Sequence, residues 1–244
     1  MLKFFNTQTY PAEENMKIDS QMLSALSPNA VPILRFYEWQ KRALSYGYFI
    51  KHEEFIDLKL AKEREIDCVR RPTGGGIVFH TSDLTFSFFM PKNYKFFSTD
   101  VVKNYQFVNN HILAAVKDFF SWQNLSQEDN ISINLLKENV TQQTDAEAQN
   151  LISNFCMAKP TKYDLMFNGK KIAGAAQRTT KNGYLHQASI FLAPVEEEIL
   201  QVALFPTKNL CDNSSFLLQN RKNFSEIKQK LFELLYHHFA KTLL

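Results

Sequence analysis

Arg70-Arg71-Pro72-Thr73-Gly74-Gly75-Gly76-Ile77-Val78-Phe79-His80 is the stretch from which the chain is best read. It holds three of the seven glycines, side by side, behind two arginines and ahead of an apolar, β-prone run. Glycine tolerates positive φ and carries no Cβ, so backbone there can come close to a bound molecule. Consecutive N–H groups in such a loop can form a concave anion-binding nest. Guanidiniums beside it add charge and hydrogen-bond donors. The stretch therefore points to a site for an anionic or strongly polar small molecule. The same residues would also suit a tight β-hairpin with a glycine turn, and both readings stand at this point.

On its N-terminal side, residues 12–26 carry helical spacing, with Met16, Leu23 and Leu26 on one face between Pro11 and Pro28. Val31–Tyr37 and Ala43–Ile50 are β-rich, and Pro32 puts the first at a strand start or a sheet edge. Residues 52–66 read as one helix, acidic early and basic late at Lys59, Lys62 and Arg64. On the C-terminal side, Asp83–Met90 reads as a strand in which Thr85 and Ser87 alternate with apolar residues. Ser98-Thr99-Asp100 can cap a helix over Val101–Phe120, striped by Val101, Tyr105, Val108, Ile112, Ala115 and Phe119. Residues 121–150 are polar and read as a loop or broken helix. Tyr163–Phe167, Ile172–Ala176 and Tyr184–Leu192 are β-prone, with hairpin signals at Asn168-Gly169 and Asn182-Gly183. Pro194 and the glutamates after it open a helix to Leu204. A last helix, 223–243, is capped by Ser225 and Glu226.

A chain of 244 residues with 45% hydrophobic content suits a single domain with a proper core, and 22 phenylalanines make that core aromatic. A net charge of +3 is too small to argue for nucleic acid. Cys68, Cys156 and Cys211 are odd in number and widely spaced, which is neither a disulfide framework nor a metal pattern. No apolar run is long enough to cross a bilayer, and the N-terminus lacks a cleavable hydrophobic core. The expectation is a cytoplasmic protein with no nucleic-acid or membrane partner and no metal held by side chains.

A second dense region runs Asn168-Gly169-Lys170-Lys171-Ile172-Ala173-Gly174-Ala175-Ala176-Gln177-Arg178. Lysine between glycines, followed by small residues, suits backbone close to a ligand with an ammonium nearby. It equally suits an exposed hairpin with solvated lysines.

Together the two stretches are specific. The chain resembles the lipoate–protein ligase A and lipoyl/octanoyl transferase family, relatives of biotin–protein ligase. That family carries an Arg-Arg-x-(Ser/Thr)-Gly-Gly-(Gly/Arg)-x-Val-x-His loop, then a Gly-(Lys/Arg)-Lys-(Ile/Val)-x-Gly-x-Ala-Gln hairpin, then a His-Gly-(Ser/Thr) strand. Arg70–His80 matches the first and Gly169–Gln177 the second. Asn15-Met16 with Asp19, and Leu34-Arg35-Phe36-Tyr37 to Ser45-Tyr46-Gly47, also fit. The third pattern is altered, reading His186-Gln187-Ala188-Ser189. The resemblance covers residues 12–205 and implies an α+β fold: a mixed, partly curled β-sheet flanked by helices. It implies one catalytic domain over residues 1–244, with no separate C-terminal accessory domain.

The resemblance also implies an activity, attachment of a lipoyl or octanoyl group to one lysine of a lipoyl domain. Such domains occur in 2-oxoacid dehydrogenases and the glycine cleavage H protein. Matching positions give Lys171 as the cation at the acyl carbonyl. They give Arg70, Arg71, Thr73, Gly74, Gly75, Gly76, His80, Gly174, Ala176 and His186 as acyl- or adenylate-binding residues. Two donors remain open. A ligase would use lipoate, ATP and Mg to form lipoyl-AMP, with a compact chain or an accessory subunit for that step, and Gly76 favours it. A transferase would take octanoate from acyl carrier protein onto Cys156, whose spacing to Pro160 and to Tyr163-Asp164-Leu165 matches that branch. A non-catalytic binder of lipoate or lipoyl domains is a third reading, raised by Gln187-Ala188.

Overall fold

The computed structural model describes residues 1–123, 131–138, 160–204, 214–218 and 223–243. Its main sheet has five strands in the order β1 (Lys3–Tyr10), β2 (Ile33–Trp39), β6 (Asp83–Pro91), β11 (Gly183–Phe191) and β10 (Ala173–Thr179). β1 runs parallel to β2, and the other three pairs are antiparallel. All nine residues of β6 and all nine of β11 are buried, because helices cover both faces of the sheet's centre.

Side chains alternate across a strand, so each face has its own composition. One face presents Leu34, Phe36, Phe86, Phe88, Met90, Tyr184 and Ile190 to α3 (Val101–Trp122) and α5 (Phe224–Leu243). The Phe88 and Phe239 rings stack at 4.8 Å there, and Phe36 meets Phe232 edge-on at 4.5 Å. The opposite face presents Arg35, Tyr37, Thr85, Ser87, Phe89 and Gln187 toward α1 (Ala12–Ala25). Polar residues survive burial on that face because they bond one another.

A second sheet has the order β4 (Asp67–Arg70), β3 (Ala43–Tyr46), β5 (Ile77–His80). β3 pairs parallel with β4 and antiparallel with β5. The glycine stretch thus joins the two outer strands of a three-stranded sheet and arches over the end of the middle one. It is not a tight hairpin. A small third sheet holds β7 (Ile133–Leu135), β8 (Leu165–Phe167) and β9 (Lys170–Lys171).

Several expectations change. Residues 52–66 are two pieces, a 3₁₀ turn at His52–Glu54 and α2 at Leu58–Glu63. Asp57 breaks the run, since its side chain accepts from the Leu60 N–H and starts a new helix. Strand β3 stops at Tyr46, where Gly47 turns under the glycine loop. Pro32 stands at the start of β2, the first of its two expected places, and β2 lies inside the sheet. Polar 121–150 contains the strand β7. Gln142, Gln143, Asp145 and Glu147, with Cys156, lie outside the described residues. Asp100 caps α3 as its type suggests, but Val101 at the head of the stripe is exposed. The helix opened after Pro194 is a single turn, α4 (Glu197–Leu200). α5 begins at Phe224, so Ser225 sits in its first turn. Asn168-Gly169 makes the expected turn with φ of 47° and 79°. Gly183, by contrast, has no positive φ. It is glycine because a Cβ would lie 2.4 Å from the Met90 carbonyl oxygen.

Candidate active site

Arg71 shapes the glycine loop from within. Its Nη1 donates to the Ser45 carbonyl at 2.8 Å and to Ser45 Oγ at 3.0 Å. Its Nη2 donates to the carbonyls of Gly74 at 3.0 Å and Gly76 at 2.7 Å. A planar fork of donors can hold four oxygens in one arrangement, which a lysine could not. The loop then lies flat on β3: the Tyr48 N–H donates to the Thr73 carbonyl, and a Cβ on Gly47 would sit 1.9 Å from the Gly75 oxygen. Of the three glycines only Gly75 has positive φ, at 79°. Gly74 and Gly76 contribute carbonyls, and the loop spends those acceptors on Arg71.

Thr73 reaches the main sheet. Its hydroxyl donates to Gln187 Oε1 at 2.7 Å, and Gln187 Nε2 donates to Asp19 Oδ2 at 2.6 Å. Asp19 also accepts from Arg35 Nη1 at 2.6 Å and from Ser87 Oγ at 2.5 Å. Arg35 is fully buried and is further held by Asn15 Oδ1, the Asn15 carbonyl and Thr7. Burial pushes the Asp19 carboxyl above its ordinary value, against the pull of Arg35 and the three hydrogen bonds. This cluster ties α1, β2, β6 and β11 to the loop.

His80 anchors a second network. Ser45 Oγ lies 2.7 Å from His80 Nε2, and Asp83 Oδ2 lies 2.7 Å from Nδ1. Trp39 stacks on the imidazole at 4.1 Å and donates through Nε1 to Thr85, whose hydroxyl donates to Asp83. Burial alone would raise the Asp83 pKa, but the charge and hydrogen bond of His80 outweigh it and hold the carboxyl below its ordinary value.

Between the two networks is a narrow pocket with a cavity volume of about 20 Å³. Met16, Tyr37, Val78, Ala175, Ala176 and Ala188 give it apolar walls, while Ser45, Arg71, His80, Thr85, Gln187 and Ser189 supply polar groups. Strand register orients it. Ala176 pairs with Gln187, at the end by Met16 and the glycine loop. Gly174 and Thr85 both pair with Ser189, whose hydroxyl is 3.4 Å from His80, at the other end. The small residues at 174–176 leave the space open.

The structure brings Arg71, His80, Gly174 and Ala176 together around this pocket, with Thr73 behind Gln187. Other expected residues lie elsewhere. Arg70 is exposed, its guanidinium 5.7 Å from the Tyr46 ring. His186 lies on the opposite face of β11, bonded to the Tyr184 hydroxyl and stacked between Phe86 and Tyr105. Burial pushes its pKa down to about 3, so it stays neutral. Lys171 does not line the pocket. It is buried, and its Nζ donates to Asp164 Oδ2 at 2.7 Å. Asp164 also accepts from Thr161 and from the Tyr105 hydroxyl.

Residues 11–234 match the profile of the lipoyl protein ligase A/B catalytic domain. The chain belongs to this family. Members among the curated relatives include an octanoyltransferase LipM of Lysinibacillus sphaericus, 31% identical over 210 residues, covering 86% of this chain and 72% of that one. Another is an octanoyltransferase LipM of Staphylococcus epidermidis, 33% identical over 188 residues, covering 77% and 64%. Among solved structures, a T. acidophilum protein with bound lipoic acid superposes with a TM-score of 0.71 at 20% identity, covering 98% of this chain and 86% of that one. A lipoate-protein ligase A bound with ATP gives 0.69 at 21%, with coverage of 98% and 86%. The expected lipoate-ligase catalytic fold is therefore present, and the chain is an enzyme of the lipoate ligase and octanoyltransferase family.

Within that family frame, sequence reading missed Trp39, Ser45, Asp83 and Gln187 as site residues. Asp83 had a signal in its three-residue spacing from His80. Gln187 had one in standing where the family pattern has histidine. Ser45 had one in the Ser45-Tyr46-Gly47 fit to the family, and Trp39 carried none; the pairing of β2 with β6 and of β3 with β5 brings both to His80.

Proposed function

We propose that this enzyme moves an octanoyl group from the thioester of an acyl carrier protein to the ε-amine of a lipoyl-domain lysine, by way of Cys156. The observation that carries the reading is the apolar-walled pocket with polar groups at both ends, in a chain whose curated relatives are octanoyltransferases over most of its length. Burying an eight-carbon chain there, once the walls part to admit it, would contribute at most about 6 kcal/mol, at ~0.8 kcal/mol per methylene. The acyl head then lies at the end bounded by Gly174, Ser189 and His80. Gly174 is three residues along the chain from Lys171, whose charge, held by Asp164, would stabilise the oxyanion of transfer. A thiolate at Cys156 would carry the acyl group between the two acceptors.

This reverses the weight given above to an adenylate. Gly76 was the reason for it, and the Gly76 carbonyl is engaged by Arg71 without any positive φ at that residue. The test offers the enzyme an apo lipoyl domain with octanoyl-acyl carrier protein in one arm and lipoate with Mg-ATP in the other. Product from the carrier protein alone, lost in Cys156→Ser, is the expected result. Product from the ATP arm with Cys156→Ser fully active would establish the ligase instead. Product from neither would leave a binding protein.

A further inference from the structure

We propose that Ser45, His80 and Asp83 form a second acyl-accepting centre, through which the enzyme hydrolyses a medium-chain acyl thioester when no acceptor lysine is engaged. The inference rests on the reading of the pocket as an acyl site.

The geometry is that of a nucleophile, a base and an orienting acid. Asp83 is an ionised carboxylate and can only accept, so at 2.7 Å it requires the proton of His80 on Nδ1. In the neutral ring Nε2 then carries the lone pair, 2.7 Å from Ser45 Oγ. The serine hydroxyl has one proton. Its oxygen accepts from Arg71 Nη1 at 3.0 Å, and where Nε2 is unprotonated the hydroxyl proton bridges to His80. Trp39, stacked on the imidazole, fixes the ring plane. Ser45, His80 and Arg71 all line the pocket. A purely structural network would satisfy these groups equally well, but it would not need its hydroxyl and its base at the wall of a cavity.

The steps balance with water as co-reactant. Ser45 Oγ attacks the thioester carbonyl carbon while His80 Nε2 takes its proton. The oxyanion forms near the Arg71 guanidinium, which already donates to Ser45 Oγ and whose charge favours it. The carbon–sulfur bond breaks and the thiol leaves with the proton from His80, giving an acyl-serine ester. Water then attacks the ester as His80 accepts a proton. The carbon–oxygen bond breaks, Ser45 recovers its proton and the free acid is released.

The experiment follows thiol release from octanoyl-N-acetylcysteamine by full-length Cys156→Ser protein, which removes the competing thiol. Alongside it, peptide mass spectrometry locates the residue labelled by a fluorophosphonate. Label on Ser45, with thiol release at least 100-fold slower in Ser45→Ala and at least 10-fold slower in Asp83→Asn, supports the centre. Ser45→Cys, which keeps a nucleophile at the same place, retains acylation; its failure to acylate while melting like the parent counts against the centre. Unchanged release in Ser45→Ala, or label elsewhere, overturns it. Quenching of Trp39 fluorescence by octanoate, read as the difference from Trp39→Phe, is measured separately. Quenching without Ser45 acylation sinks this inference alone. No quenching sinks it together with the acyl-pocket reading.

Discussion

Arg71 and Lys171 are both buried cations, each set in a glycine-containing motif, and they are held in opposite ways. The guanidinium of Arg71 fans across a serine hydroxyl and the carbonyls of Ser45, Gly74 and Gly76, so it fixes backbone shape. The ammonium of Lys171 donates to the buried carboxylate of Asp164, so it is a localised charge with a counter-ion. One motif builds the pocket wall, and the other holds a buried charge on the His186 side of β11. The difference also predicts how each region breaks.

The largest effect is expected at Lys171. Lys171→Ala should lower acyl transfer to a lipoyl domain by ~10³-fold, the scale of losing a preorganised electrostatic group. It should also destabilise the fold by about 3–5 kcal/mol, because Asp164 is left as an unpaired buried charge. The double variant Lys171→Ala with Asp164→Asn separates the two effects. Chemical denaturation should show stability largely restored while transfer stays absent. Transfer at the parent rate in either variant would remove Lys171 from the mechanism.

On the Arg71 side the damage should be to shape. Gly47→Ala places a methyl 1.9 Å from the Gly75 oxygen, so loop and strand must part. A loss of about 3 kcal/mol is expected, with octanoate affinity down ~10-fold or more. Gly74→Ala, where a Cβ would meet nothing within 4 Å, should stay within about 1 kcal/mol of the parent. Equal effects at the two glycines would refute the account of the loop. Titrating octanoate by fluorescence and melting both variants decides it.

Acid should separate the two faces of the sheet. His186 packs on Tyr105, the residue that holds Asp164, so it belongs to the Lys171 side. Its folded pKa of about 3 is far below the ordinary 6.5. The unfolded chain therefore binds a proton that the native protein does not as pH falls from 6.5 toward 3. Native stability is lost over that window, by up to ~1.4 kcal/mol per pH unit. His111, depressed by its own burial, adds in the same direction. Asp83, on the other side, is depressed below 3.8 and costs stability only once pH falls beneath that value. His186→Gln, which keeps a partner for the Tyr184 hydroxyl, should flatten the slope between pH 6.5 and 4. An unchanged slope would place the acid sensitivity elsewhere.

Sequence reading reached the elements and the two motifs because these are local. Helical spacing located α1 and α3, alternation located β6, and a β-prone run after a turn signal located β11. What it could not reach is which residues the topology makes neighbours. Asp19 and Arg35 were legible as family positions, but their pairing depends on α1 lying across the β2–β6 face. His186 and Gln187 are adjacent in sequence and on opposite faces of β11, so one residue of alternation decides which faces the pocket. The glycine loop read equally as a hairpin or a nest. Resolving it required knowing that β4 and β5 flank β3 instead of each other.

Gln187 is where the smallest but most specific effect is expected, because it joins the Arg71 loop to the Asp19 cluster. Gln187→Leu keeps the volume and removes both hydrogen bonds. The Thr73 hydroxyl loses its acceptor and Asp19 loses one of its donors, which should cost about 1–3 kcal/mol. Arg35 and Ser87 still hold Asp19, so the carboxylate is not orphaned and the loss should stay below that of Lys171→Ala. With Thr73 released, octanoate binding should weaken several-fold while the Lys171–Asp164 pair is untouched. A double cycle with Thr73→Val measures the link. Coupling near 1 kcal/mol is expected if the hydroxyl and amide act as a pair. Strict additivity would mean that the Thr73–Gln187 bond adds nothing to the hold of Arg71 and the Tyr48 N–H on the glycine loop.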